Sequence, residues 1–233
     1  MSIEKQLHPA HVAILHVLLF KPKARFADLQ KASQLSSDHF NFYLKQLLDE
    51  EFVVKNADGD YHLSPKGKEF SNRFDTDERK VERQPKVAVC LIIEREDGKI
   101  LVQQRLKQPF YGYWGRPTGK IRWGETILEA AARELKEETD LEADLAYYAV
   151  YHKSDFNKVT GELLEDKIFF MVSATNPRGK LIEDFEGGRN VWMTLKEYAN
   201  QELSFESNDT INLKNDPSVP IVEVRHDYAP EHY

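Results

Sequence analysis

Residues 74–86 read FDTDERKVERQPK, a charged stretch that closes on a proline and offers almost nothing to a hydrophobic core. A chain of 233 residues can build one large core or two modest ones. So polar a stretch away from either end favours two cores. The expected division is residues 1–75, a linker at 76–86, and residues 87–233. Apolar residues make up 41% and charged residues 30% of the chain, a balance that suits folded domains and not a disordered chain. No apolar run approaches the ~20 residues of a membrane span. The opening MSIEKQLHPAHV lacks the basic, apolar and small-residue sections of a signal peptide. The single cysteine, Cys90, lies within the apolar run VAVCLIIE, where burial is expected and an internal disulfide is impossible. These features together predict a cytoplasmic protein with no membrane partner. The net charge of −7 provides no global attraction for nucleic acid, so any such contact has to be local.

The part before the charged stretch reads as mostly helical. HPAHVAILHVLLF presents a broad apolar face through Val12, Ile14, Leu15, Val17 and Leu18, and RFADLQKAS is a short second helix. A third helix follows in SSDHFNFYLKQLLDEEF, with Ser36 or Ser37 as N-cap and Phe40, Leu44, Leu47, Leu48 and Phe52 on one stripe. FVVKNADGDYHLS predicts a hairpin about an Asp-Gly turn. Ser64 and Pro65 then mark the start of a fourth helix. Three helices, a two-stranded wing and a further helix resemble a winged helix-turn-helix domain. That resemblance implies double-stranded DNA as a partner through the third helix, where Asn41 and Gln46 would face base edges and Lys45 a phosphate. Acidic residues flank that face, so homodimerisation or docking on another protein stays open as the alternative.

The second part mixes strands and helices without a regular βαβ rhythm, which predicts an α+β domain. Strands are expected at KVAVCLIIERE, KILVQQRL, DLAYYAVYHKS, DKIFFMVSAT and NVWMTL, with PIVEVRH a further candidate. One long helix, within GETILEAAARELKEETDLEADL, brings Glu134, Glu137 and Glu138 onto neighbouring turns. At about 100° per residue, Glu138 lies about 40° to one side of Glu134 and Glu137 about 60° to the other. The helical wheel puts Leu128, Ala131, Ala132 and Leu135 in the apolar stripe, and Arg133, Lys136 and Glu129 on the solvated side. Glu134 and Glu138 border the stripe, where a surface helix would have turned its acids away. Carboxylates crowded so close to a core call for a counter-charge, and an all-oxygen set suits Mg²⁺ or Mn²⁺.

The spacing carries further. Gly119, five residues, Glu125, seven residues, and then Arg133, Glu134, Leu135, Glu137, Glu138 and Leu141 resemble the Nudix box. Asp140 stands where the family has a glycine, and Thr118 where many members have another. The resemblance covers roughly residues 86–200 and implies a mixed-sheet α/β/α domain following the winged helix-turn-helix. It also implies a metal-dependent hydrolase of a nucleoside diphosphate linked to another group. Glu134, Glu137 and Glu138 would hold the cation, Arg133 and Glu125 would form a supporting pair, and Gly119 would allow close approach. The proton acceptor would be Glu134 or an acid of the later loop EDFEGGRN, with Glu186 the candidate there. Trp123 and the aromatics of KQPFYGYWG would stack on a nucleotide-type substrate. ADP-ribose-directed members often carry a proline about fifteen residues beyond the box, and none occurs between Leu141 and Asn176, so a nucleoside triphosphate or another derivative is favoured. The alternative function is a transcriptional regulator whose Nudix domain senses a nucleotide.

Overall fold

Two separate hydrophobic clusters account for the way the chain divides, into Met1–Arg83 and Gln84–Tyr233. The computed structural model describes residues 7–75, 80, 81, 83–205 and 220–233.

In the first unit, helices α1 (Pro9–Phe20), α2 (Phe26–Ser33) and α3 (Ser37–Asp49) precede a hairpin of β1 (Val53–Lys55) and β2 (Tyr61–Leu63). Helix α4 (Pro65–Ser71) follows. Its cap is the expected one, with the Ser64 hydroxyl accepting from the Gly67 amide at 2.9 Å and Pro65 in the first turn. Ile14, Leu15, Phe40, Leu47, Phe52 and Phe70 are buried together. The hairpin turns through Gly59 at φ +82°, a conformation that favours glycine. Of the expected linker, residues 76–79 and 82 lie outside the described residues. Within the rest of it, Lys80–Val81 (β4) pairs with Phe74–Asp75 (β3), Arg83, Gln84 and Pro85 belong to no helix or strand, and Lys86 already belongs to the next strand. Phe74 is buried against Phe70, which ties this end of the stretch to the first core.

The second unit contains two sheets. The five-stranded sheet runs in the order β13 (Ile221–Tyr228), β9 (Leu141–Asn157), β10 (Leu163–Gly179), β5 (Lys86–Ile93), β8 (Thr118–Lys120). The four-stranded sheet runs β11 (Asp184–Phe185), β12 (Gly188–Met193), β6 (Ile100–Arg105), β7 (Trp114–Gly115). Within the first sheet the β10–β5 and β13–β9 pairs are parallel and the rest antiparallel, the mixture expected of an α+β fold. Helix α5 (Ile127–Thr139) buries Ala130, Ala131 and Leu135 with Val89, Leu91 and Ile93 of β5 and with Leu101 of β6. Ile100 and Val102, pointing the other way on β6, pack with Tyr198 of the short helix α6 (Leu195–Ala199). The period of two along β6 thus supplies both faces of that sheet. No helix among the described residues is long and apolar enough to cross a membrane.

Two details of α5 differ from the sequence reading. Leu128 and Ala132 are exposed, and the buried stripe runs instead through Ile127, Ala130, Ala131 and Leu135. Glu134 and Glu138 therefore continue that stripe where they had been expected to border it. The helix ends at Asp140, a left-handed cap at φ +58° and ψ +14° in the position where the Nudix box has a glycine.

Candidate functional site

Helix α5 starts in a capping box. The Thr126 hydroxyl accepts from the Glu129 amide, while the Glu129 carboxylate accepts from Thr126. This fixes where the glutamates about two and three turns later emerge. Glu134 lies against β8 so closely that a methyl group on Gly119 would come within 1.8 Å of its carboxyl carbon. Any larger residue there would displace the Glu134 carboxylate, so the glycine serves this position of the side chain and not a positive φ.

Arg133 holds this arrangement. Its Nε and Nη2 donate to the two oxygens of Glu125 at 2.5 and 2.8 Å, and its Nη1 donates to Glu134 at 2.5 Å and Glu137 at 3.1 Å. Nη2 also reaches the Lys120 carbonyl at 2.9 Å, which joins the helix to β8. The expectation that Arg133 faces solvent is thus corrected: its side chain is 15% exposed, because folding the guanidinium inward satisfies three carboxylates at once. The Glu125 carboxyl is held down at about 2, first by Arg133 and then by the Arg122 amide. Glu137 sits half-exposed at the rim, also paired with Arg122 at 3.2 Å.

Glu138 has a different environment. Gln103 on β6 donates to it at 3.0 Å, and Asn190 on β12 donates to its backbone carbonyl at 2.8 Å. Burial pushes the Glu138 carboxyl above the usual range, and the nearby Glu134 charge adds to that against the bond from Gln103. Among the described residues no three His, Cys, Asp or Glu side chains converge on one point. The donor chemistry still fits a hard cation, since three carboxylates stand within two turns and Glu134 and Glu138 both open into a cavity.

That cavity has a volume of about 610 Å³. Lys86, Lys120, Lys153 and Lys167 line it from the sheet, with Arg105, Lys107 and Arg116 from β6 and the loops beyond. Against these seven cations stand three lining carboxylates, Glu134, Glu138 and Glu165. The cationic lining escaped the sequence reading. Its one signal was the presence of Lys153 and Lys167 at inward positions of apolar strands, which is visible only once the sheet faces are known.

Other expected site residues are placed elsewhere. Trp123 is 97% exposed and does not line the cavity, because it follows β8 in a turn with nothing packed over it. Glu186 is exposed at the tip of the β11–β12 hairpin and likewise lies outside the lining. Of the aromatic stretch, Tyr111 is exposed, while Phe110 and Tyr113 are buried with Phe205 and Tyr228. Phe110 and Phe205 form part of the cavity wall.

Helix α5, which carries Arg133, Glu134, Glu137 and Glu138, thus lies over Gly119 of the adjoining strand, with Glu125 just before its start, and this arrangement defines the class of domain. The family model for the NUDIX domain matches residues 84–213, more than half of the chain, and the chain belongs to this family. It is 42% identical over 79 residues to the ADP-ribose pyrophosphatase of Methanocaldococcus jannaschii, covering 32% of this chain and 46% of that protein. It is 39% identical over 77 residues to the CTP pyrophosphohydrolase of Escherichia coli (strain K12), covering 33% of this chain and 54% of that protein. The chain thus spans about half the length of these relatives. Among solved structures, a MutT protein from Bacillus halodurans superposes with a TM-score of 0.48 at 23% identity, over 64% of this chain and 93% of that one. The NUDIX domain of Shewanella oneidensis NrtR complexed with ADP ribose gives 0.49 at 18% identity, over 63% and 95%.

Proposed function

We propose that the chain hydrolyses the phosphoric anhydride of a nucleoside diphosphate linked to another group, with Mg²⁺ or Mn²⁺ held by Glu134, Glu137 and Glu138. The observation that carries this reading is the opening of Glu134 and Glu138 into a cavity with seven cationic side chains, which suits a polyanion. A bound divalent cation supplies charge neutralisation at the diphosphate and a more acidic attacking water. The chain's own residues do the rest. Arg133 orients Glu134 and Glu125, and Gly119 admits the Glu134 carboxylate to the strand. Gln103 orients Glu138, while Arg105 and Lys107, the cations whose charge acts on Glu138, attract the phosphates. Glu134 serves as proton acceptor, since Glu186 stands outside the cavity.

Glu138→Gln tests this. With saturating metal and a nucleotide panel, release of phosphate or pyrophosphate is expected to fall at least about 100-fold, with an unchanged melting curve. Undiminished turnover removes Glu138 from the mechanism.

A second reading, a DNA-binding regulator that senses a nucleotide, draws on the first unit. Its three helices, hairpin and further helix follow one another in an order that resembles a winged helix-turn-helix, and His39, Asn41, Phe42 and Lys45 are exposed on α3. Gln46 drops out as a base reader, because its Oε1 lies 2.9 Å from Nε2 of His11 and ties α3 to α1. Selection from random duplex at low salt, with and without nucleotide, tests this reading. Enrichment that responds to nucleotide supports the regulator, and no enrichment under any condition removes it.

A further inference from the structure

Three lysines stand directly opposite one another on three adjacent strands. Lys167 of β10 pairs in register with Lys153 of β9 on one side and with Lys86 of β5 on the other, and all three line the cavity. Like charges directly opposite in a sheet repel, and burial adds to the cost. Lys153 is 7% exposed and Lys167 is 23% exposed. Two carboxylates among the described residues answer the three ammonium groups. Glu165 lies 2.6 Å from Lys86 and 3.5 Å from Lys167, and Asp155 lies 3.0 Å from Lys153. Burial alone would raise the Glu165 carboxyl, but Lys86, Lys167 and Tyr233 outweigh it and hold it below its ordinary value. Burial meanwhile lowers Lys167. Three ammonium groups thus share two carboxylates at these distances, and Arg116, 8% exposed, lines the same cavity. A phosphate monoester carries close to two negative charges at neutral pH and suits such a row.

The place of the row gives it a purpose. Gly119, against which Glu134 lies, is opposite Val89 on β5, three residues along from Lys86. Along the strand, at ~3.3 Å per residue, the row stands on the order of 10 Å from the level of Gly119. The odd step seats Glu134 on the sheet face opposite to that of the lysines, and both line the one cavity. The next positions in register on the same face are Tyr151, Phe169 and Ala88, an apolar floor with one small side chain. Two anionic groups joined by a carbon skeleton fit this layout.

We infer that the row of Lys153, Lys167 and Lys86 is a binding subsite for a phosphate monoester carried by the substrate at a distance from its diphosphate. The inference rests on the hydrolase reading for the position of the diphosphate. It makes the preferred substrate class a diphosphate in which one alcohol component bears its own phosphate.

Coenzyme A with dephospho-coenzyme A, and NADPH with NADH, are pairs that differ by one phosphate monoester. With saturating Mg²⁺ or Mn²⁺, kcat/KM for the phosphorylated member of at least one pair is expected to be about ten-fold or more above its partner. Lys167→Gln and Lys153→Gln should each lower kcat/KM for the phosphorylated member more than for its partner and so reduce that preference to about two-fold or less, and Lys167→Arg should retain it. Independently of turnover, calorimetry without divalent metal should find inorganic phosphate bound by the wild type and not by Lys167→Gln, with melting curves showing that each variant folds. Hydrolysis without preference within either pair overturns the subsite, as does phosphate binding that survives both Gln substitutions or is absent from the wild type. Phosphate binding lost in the variants, with no hydrolysis of any diphosphate, overturns the hydrolase reading and leaves the subsite standing.

Discussion

Single atoms decide much at Gly119. A methyl group there would occupy the position of the Glu134 carboxyl, so Gly119→Ala must push that side chain away or shift β8. The expected result is a folded protein destabilised by about 1–3 kcal/mol, with turnover reduced at least about ten-fold. Hydrolysis at the wild-type rate would mean that the position of Glu134 against the strand is irrelevant to the chemistry. Glu125 shows the electrostatic counterpart. Its folded value of about 2 lies below the ordinary 4.5, so its ionised form stabilises the fold. The sign is that of a depressed carboxyl: the contribution is full above pH 4.5 and is lost as pH falls toward 2. The difference in melting temperature between wild type and Glu125→Gln should therefore be largest near neutral pH and shrink through that window. A difference that grows on acidification would contradict the role given to the Arg133–Glu125 pair.

At the scale of the element, α5 shows which features a sequence can reveal. Its start at Thr126, its left-handed stop at Asp140 and the face shared by three glutamates follow from spacing and capping chemistry, which act within a turn or two. What was misread depended on neighbours distant in sequence. Arg133 turned inward because Glu125, eight residues earlier, and the Lys120 carbonyl on β8 await it. Leu128 came out exposed because it occupies a different face of the helix from Ile127, Ala130 and Ala131, which meet the strands. The lysines of β9 and β10 look like ordinary strand polarity until three strands are aligned. Gln46 was likewise claimed by His11 from another helix. Asp140 offers a test at this scale. Replacing it with glycine removes the cost of a left-handed non-glycine residue and forfeits a half-exposed pair with Lys136 at 2.6 Å. The strain outweighs a surface ion pair, so Asp140→Gly should stabilise the protein by up to about 1 kcal/mol in denaturant unfolding. A loss of stability would show that Lys136 contributes more than surface pairs usually do.

For the whole molecule, the two units have separate cores, and the first buries Ile14, Leu15, Phe40, Leu47, Phe52 and Phe70 among its own elements. A fragment of residues 1–83 is expected to melt cooperatively and keep its helical circular dichroism. A broad, non-cooperative transition would mean that the first unit needs the second. Within the second unit, Glu134 is seated on β8 of one sheet, while Glu138 is held by Gln103 on β6 of the other. Helix α5 is therefore a caliper laid across the two sheets, with one carboxylate on each jaw. The gap between those two side chains measures how far apart the sheets stand, so a substitution that spreads or pinches the sheets far from the cavity would alter the seat proposed for a cation.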